Sequence, residues 1–506
     1  MLFNSPVYIL LFLPLTVGGY LGLQRLGRPV AGKVWLIGAS LYFYAYWNPI
    51  YLPLILGSMA VNFGVGTALH RSKKGASGWW SRKHTLLCGI ALNLGLLGYF
   101  KYTDFFITNV NQVLATDWPL LHLALPLAIS FFTFQQIAYL CDSYQADTQE
   151  YSILNYSLFV TFFPQLIAGP IVHHREMMPQ FSSTRAQTLC GRNVAMGLFV
   201  FSVGLFKKVA IADTFAVWVR AGFDGGSALS LVEAWGASLS YTLQLYYDFS
   251  GYSDMAIGAA LFFNIRLPVN FNSPYKATSI QDFWRRWHMT LSRWLRDYIY
   301  IPLGGNRKGR QRTYINVFLT MLLGGLWHGA GWTFVLWGAV HGVAIMVNRA
   351  WSGAGRRLPA FVGLGITLFF VNGAWVLFRA ASIDEVLRMG LGMGGMGGFW
   401  PVSNAFGGST AVVPGWLRGG SEIDWELVSM WGLIGLFTAV ALWTPNTLEW
   451  VRYVGPGEEE GAPGRYSWQP TMWNVLAAAL LMMVSLALVL GLFSAAHVSD
   501  FLYFQF

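Results

Sequence analysis

Apolar stretches of membrane-spanning length recur along almost the whole chain, and short polar breaks between them mark out the elements. The pattern predicts apolar helices at about 6–23, at 34–69 (a hairpin broken at Asn48-Pro49), and at 85–100, 119–140 and 152–169. It predicts more at 193–219, 228–262 with breaks, 314–348, 360–378, 427–444 and 470–495. About 20 apolar residues, at ~1.5 Å of helix rise each, cross a ~30 Å hydrocarbon core.

Two regions depart from plain apolar runs. In "SIQDFWRRWHMTLSRWLRDY" (279–298) Ile280, Phe283, Trp284, Trp287, Leu291, Trp294, Leu295 and Tyr298 recur on one helical stripe, with most arginines opposite. Ser279 and Asp282 make a capping-box-like start. The pattern predicts a basic amphipathic helix lying at the membrane interface, with His288 on its apolar stripe. The second region, 314–348, has basic ends: Arg310 and Arg312 before it, Arg349, Arg356 and Arg357 after it. Cytoplasmic placement of both ends makes the segment enter the membrane and return. The glycines of "GGLWHGAGW" (324–332) then mark a broken apex carrying His328. Fifteen helical residues from Thr313 reach about 22 Å inward. Irregular backbone at that depth is tolerated only where protein or water covers it, so His328 is expected to line a cavity or tunnel.

Composition removes the soluble alternative. The 506 residues are 55% hydrophobic and 11% charged, against roughly 25% charged in soluble chains. One polytopic, all-α membrane domain spanning 1–506 is the expectation, not two or three soluble ones. The N-terminus lacks a basic region and a small-residue cleavage site, which reads as a retained first helix. Cys88, Cys141 and Cys190 are scattered without CxxC spacing, so neither a disulfide framework nor a metal site is expected.

The net charge of +10 reports topology first. The loops 24–33 and 70–84 are basic without acids and are expected in the cytoplasm. The segment 264–313 is the strongest cytoplasmic signal, a basic or interfacial core with ten Lys or Arg against Asp282 and Asp297. The glycine-rich 389–426 is expected as an outside loop and 456–465 as a cytoplasmic turn. Both termini then lie outside, in the periplasm of a bacterial inner-membrane protein. Because membrane spans separate the basic residues, no nucleic-acid partner is expected.

Polar groups inside a membrane are functional candidates by default. A neutral imidazole near its usual pKa of ~6.5 can take a proton from a hydroxyl, the task of a general base in acyl transfer. The glycine break around His328 and the apolar setting of His288 favour that use over plain packing. His341 lacks such a setting and reads as structural, and His173-His174 reads as a solvated loop pair. "YYDFSGYSDMAIG" (246–258) is either a polar helix break or a site wall whose carboxylates orient a histidine or bind substrate hydroxyls. HExxH, GxSxG and Walker A sequences are absent, and "GGNRKGRQR" (304–312) reads as a basic loop able to touch phosphates. A proton-coupled transporter would also suit broken helices, but no inverted repeat is visible between the halves. A scaffold for a polysaccharide synthase, with His328 only packing, is a further alternative.

The chain resembles the membrane-bound O-acyltransferase family. The resemblance is carried by "LPLAISFFTFQQIAYLCDSY" (125–144), "FFPQLIAGPIVHHREMMPQF" (162–181), the long run from Tyr246 to Arg307, "LLGGLWHGAGWTFVLWG" (322–338) and the final "FLYFQF". Within the family it looks most like the bacterial branch that acetylates alginate, alongside peptidoglycan O-acetyltransferases and D-alanyl transferases of teichoic acid. The resemblance implies a ring of helices around a thinned core with a tunnel. It implies catalysis by the histidine of the WHG motif, His328, with His288 as the second polar position. Acetyl-CoA is the implied acyl donor, with no resident cofactor. The implied partners are membrane lipids, a polysaccharide acceptor and a periplasmic acetyltransferase-type protein. Donor-binding or tunnel-lining candidates are Arg285, Arg286, Arg293, Trp287, Trp327, Tyr247, Asp248, Ser250 and Asp254.

Overall fold

Hydrophobic helix formers dominate the chain, and in a computed structural model every regular element among the described residues is helical. Those residues are 1–73, 81–145, 152–183, 190–400, 425–456, 470–491 and 501–502. Among the described residues, seven helical stretches are long and apolar enough to cross a membrane: Pro49–Arg71, Arg82–Leu114, Gly191–Asp224, Trp332–Gly353, Ala360–Arg379, Trp425–Trp443 and Met472–Val489. The chain divides into two compact units. The first comprises Met1–Phe201, Ser253–Val269 and Val451–Leu476, and the second Ser202–Tyr252, Asn270–Trp450 and Ala477–Phe506.

The first unit opens with α1 (Leu13–Arg25), α2 (Pro29–Ala45), α3 (Leu52–Lys73) and α4 (Arg82–Leu114). The expected break at Asn48-Pro49 is present. Asn48 accepts the Ile50 N–H at 3.0 Å, and Pro49 starts one 3-10 turn before α3. Buried Asn62 and Asn93 exchange amide hydrogen bonds of 3.2 and 2.6 Å, tying α3 to α4 inside an apolar interface. The helix α4 runs well past the expected end near residue 100. Its polar second half is used, because Asp104 accepts the Leu121 N–H at 2.7 Å and Asn111 grips Trp118. Those bonds strap the irregular residues 116–126 along α4, so the segment expected as a helix from 119 becomes helical only at α5 (Ile129–Gln145).

Almost every residue of α5 is buried, its polar Thr133, Gln135, Gln136 and Asp142 included. The stretch 152–169 breaks at Phe162 into α6 (Ile153–Thr161) and α7 (Phe163–Leu166), with Pro164 in the first turn of α7. His173 and His174 are buried at the start of α8 (His174–Ser182) instead of forming a solvated loop pair. His174 Nδ1 lies 2.9 Å from Asp142 Oδ2 of α5, so the two family-like segments that carry these residues meet in space.

The chain passes into the second unit within α9 (Gly191–Phe206), at Ser202, and continues through a π turn at Lys207–Ala212 into α10 (Asp213–Asp224). Here α11 (Leu231–Leu261) corrects one expectation: it is a single helix, without the polar break anticipated in 246–258. Gly251 is needed there because a β-carbon would sit 2.7 Å from the Gly204 carbonyl.

The segment 279–298 corrects another. It forms α12 (Ile280–Arg286) and α13 (Met289–Leu295), broken at Trp287-His288, where one interfacial helix was expected. From Ile280 to Leu295 its apolar stripe is buried in protein, because Phe283, Trp284 and Trp287 stack on one another and on Trp337 and Trp375.

The hairpin expected over 314–348 is present as α14 (Gly309–His328) and α15 (Trp332–Gly353), joined by Gly329-Ala330-Gly331. Next come α16 (Ala360–Arg379) and α17 (Ile383–Met393). The latter claims the first residues of the expected outside loop 389–426, and 401–424 lie outside the described residues. So do most of the expected turn at 456–465 and of the final ten residues. The unit closes with α18 (Trp425–Trp443), α19 (Thr447–Trp450) and, from Ala477, α20 (Met472–Val489).

Candidate active site

The two arms of the α14–α15 hairpin touch backbone to backbone, and the glycines make this possible. A β-carbon on Gly338 would meet the Met321 carbonyl at 2.5 Å, and one on Gly325 would run into the Phe334 carbonyl. Small residues at such crossings bring helix backbones together. Gly324 and Gly325 therefore sit inside a continuous helix and close it on its partner. The break itself is confined to residues 329–331. His328 is the last residue of α14 and only 4% exposed. Its ring meets Trp327 at 4.9 Å, Phe378 at 5.0 Å and Trp337 at 5.1 Å, steeply inclined to all three.

His288 reaches the same aromatic cluster from another direction. It occupies the left-handed region, with φ +41°, and this kink ends α12 and starts α13. Residues 270–272 hold the kink in place: Asn270 C=O accepts the Met289 N–H at 2.9 Å, and Arg286 C=O accepts the Asn272 N–H at 2.9 Å. The Asn270 side chain fixes the imidazole. Its Oδ1 accepts the Thr290 hydroxyl at 2.9 Å and the Thr290 N–H at 3.4 Å, which identifies it as the oxygen. His288 Nδ1, 3.1 Å from that oxygen, must therefore donate, and Nε2 carries the lone pair. Complete burial pushes the His288 imidazole down to about 3, so it is neutral at physiological pH. The Trp327 ring lies 6.3 Å from His288 and 4.9 Å from His328, so one indole is a neighbour of both histidines.

His341 stands behind this pair. It accepts the Trp284 indole N–H at 3.2 Å and packs on Trp337 at 4.7 Å, which in turn forms one wall around His328. Trp287 stacks on Phe283 and packs against Trp375. The arginines lie outside the aromatic cluster. Arg285 is exposed, Arg293 is half-buried, and Arg286 returns to Asp282 at 3.0 Å. Arg307, Lys308, Arg310 and Arg312 are exposed around the start of α14, a helix length of about 27 Å from His328.

The α11 cluster reaches His288 through Phe249, which stands between Asp248 and Ser250 and whose ring lies 4.8 Å from the imidazole, edge to face. Tyr247 donates to the Phe437 carbonyl at 2.9 Å, and Ser250 is buried. Asp254, also buried, falls in the first unit. Asp248 pairs with Lys208 at 2.7 Å and accepts the Leu502 N–H at 3.1 Å. Lys208 also meets Asp213 at 2.9 Å, and its ammonium lies 4.8 Å from the Phe501 ring centroid. Asp248 thus holds the Lys208 ammonium and the Leu502 backbone. Asn270, Trp337, Phe378 and Lys208 escaped sequence reasoning. Only Lys208 had left a signal there, as a charge inside the apolar stretch 193–219.

Comparison with known proteins adds identity to this geometry. The membrane-bound O-acyltransferase family matches residues 117–383, more than half of the chain. A peptidoglycan O-acetyltransferase of Helicobacter pylori is 51% identical over 79% of this chain and 80% of its own length. A probable alginate O-acetylase of Pseudomonas aeruginosa is 37% identical over the full length of both. A teichoic acid D-alanyltransferase of Streptococcus thermophilus is 27% identical over 44% of this chain and 57% of its own length. The helical fold, the membrane-spanning segments and these matches lead to one conclusion: the chain belongs to the membrane-bound O-acyltransferase family and is a multi-pass membrane acyltransferase.

Proposed function

We propose that this acyltransferase moves an acetyl group from cytoplasmic acetyl-CoA to hydroxyls of a polysaccharide on the outer side of a bacterial inner membrane. Alginate is the first choice of acceptor, reached directly or through a periplasmic partner protein. In this reading the basic segment 264–313 faces the cytoplasm and both termini face the periplasm. The observation that carries it is the placement of His328 and His288 beside one indole, Trp327, at a hairpin apex and a backbone kink.

The acceptor oxygen attacks the thioester carbonyl carbon. A C–O bond forms, the C–S bond breaks, and the hydroxyl proton passes through His328 to the departing thiolate. His288 is too weak a base to hold that proton. Its lone-pair Nε2 suits accepting a hydrogen bond and orienting a reactant, which separates the two roles by environment. Carbonyl polarisation by His288 does not suit this tautomer, since Nε2 has no proton to donate.

A peptidoglycan hydroxyl is the second reading of the acceptor, favoured by the higher identity to a relative of that name. The test is His328→Ala, with acetyl esters counted on both polymers in cells making the wild-type or variant protein. Loss of esters from one polymer, with normal membrane insertion, supports the catalytic role and names the acceptor. Retained esters on both would overturn the assignment and return His328 to packing.

A further inference from the structure

On the flank of the second unit, α15 and α16 leave an apolar groove of about 750 Å³ between them, within the ~300–1,000 Å³ usual for ligand sites. Ile280, Val340, Val343, Val347, Ile366 and Phe370 line it. Even Thr367 offers little polarity, because its hydroxyl turns back to the Gly363 carbonyl at 2.7 Å. The walls are accessible from outside: Val343 is 48%, Val347 61% and Ile366 55% exposed.

One end of the groove differs. Asn348, Trp351 and Leu358 line it there, at the turn that joins the two helices. That turn carries Arg356 and Arg357, and Arg349 lies just before it in the last turns of α15, with no acid between Asn348 and Ala360. The Arg356 guanidinium sits 5.1 Å from the Trp351 ring centroid, which fixes a cation at the groove mouth. The helix α16 starts beside it without a side-chain cap.

An open apolar trough with fixed cations at one end matches a molecule with a long hydrocarbon chain and an anionic head. A small soluble anion would gain nothing from the trough, and a neutral lipid would gain nothing from the arginines. The protein spans a bilayer, where anionic phospholipid is the abundant molecule of that shape, and arginine suits phosphate. We propose that the α15–α16 groove is a binding site for one anionic phospholipid, with an acyl chain in the trough and the phosphate held by Arg356 and Arg357. The site needs no particular acceptor or donor, so its test is independent of the catalytic reading.

The test is native mass spectrometry of the full-length purified protein in mild detergent, titrated with phosphatidylglycerol or with phosphatidylcholine of identical chains. One phosphatidylglycerol should be retained at roughly tenfold lower lipid concentration than phosphatidylcholine, the size expected from a few favourable basic contacts. Arg356→Gln with Arg357→Gln should remove that preference and leave phosphatidylcholine retention unchanged. Ala344→Trp, which fills the trough, should abolish specific retention of both. Where Ala344→Trp fails to fold, Val347→Glu, placing a charge on the rim, gives the same reading. Equal retention of the two lipids by the parent protein would overturn the proposal. So would undiminished phosphatidylglycerol retention by a folded trough variant, which would place the lipid on the turn alone.

Discussion

At position 288 a non-glycine residue holds a left-handed backbone, a strain of about 1–3 kcal/mol that its surroundings must overcome. Asn270 supplies part of that support by binding the imidazole and Thr290 together. The same burial that makes His288 neutral has a consequence for pH. Its folded pKa, about 3, lies below the unfolded value of ~6.5, so the unfolded chain binds the proton more readily. The contribution is fully present above pH ~6.5 and is lost as pH falls below it, by about 2 kcal/mol at pH 5. His288→Asn tolerates the left-handed backbone and should flatten the fall of thermal stability between pH 7 and 5. An equally steep fall in the variant would show that His288 already titrates normally when folded. The unusual setting of His288 was legible in the sequence, as a polar residue on an apolar stripe. Its kink and tautomer were not, because both depend on Asn270, eighteen positions away.

The hairpin is the element on which the candidate site rests. Basic ends and a glycine cluster were enough to predict that 314–348 turns back at His328. The glycines do more than mark the expected apex: Gly325, with Gly338 on the other arm, brings the two arms into backbone contact. Gly325→Val should therefore force the arms apart and cost about 1–3 kcal/mol, the usual range for overpacking. Gly365→Ala, which has open space at its β-carbon, is the matched control and should leave the unfolding temperature within a degree or two. Thermal unfolding of the two purified variants checks this, and equal effects would remove the close-approach argument. The α12–α13 segment shows the opposite limit of periodicity. An apolar stripe reports that a face is buried but not what buries it, and here protein aromatic rings take the place expected for lipid.

At the scale of the molecule, charge is distributed to do two different things. Lys208, Asp213 and Asp248 are gathered in the interior of the second unit, and the end of the chain rests on them through Leu502 and Phe501. Removing one member of such a group leaves uncompensated charge, so Lys208→Met should destabilise the protein by about 3–5 kcal/mol. Adding Asp248→Asn should recover part of that loss, measured by thermal unfolding in detergent. An additive double variant would mean that the two groups are uncoupled. The outer charge behaves differently. Arg285 is exposed and Arg286 partly so; with acetyl-CoA as the proposed donor, their reversal to Glu should weaken its use more at low salt than at high salt, because exposed charges are screened. An unchanged apparent affinity for the donor at both would take them out of the donor path.

The sequence by itself determined the membrane class, the helical architecture, the hairpin at His328 and the oddity of His288. Each of these follows from local patterning: span length, periodicity, glycine breaks and the sign of flanking charge. Tertiary structure alone decided that His288 comes to the Trp327 ring beside His328 and that Asn270 sets the tautomer of one. It also decided that Asp248 serves Lys208 and the chain terminus. These are pairings between segments tens to hundreds of residues apart, chosen by which polar groups can satisfy one another once water is excluded. No local pattern encodes such a choice, because an aspartate on an apolar helix looks the same whether its partner is a lysine, a histidine or a substrate.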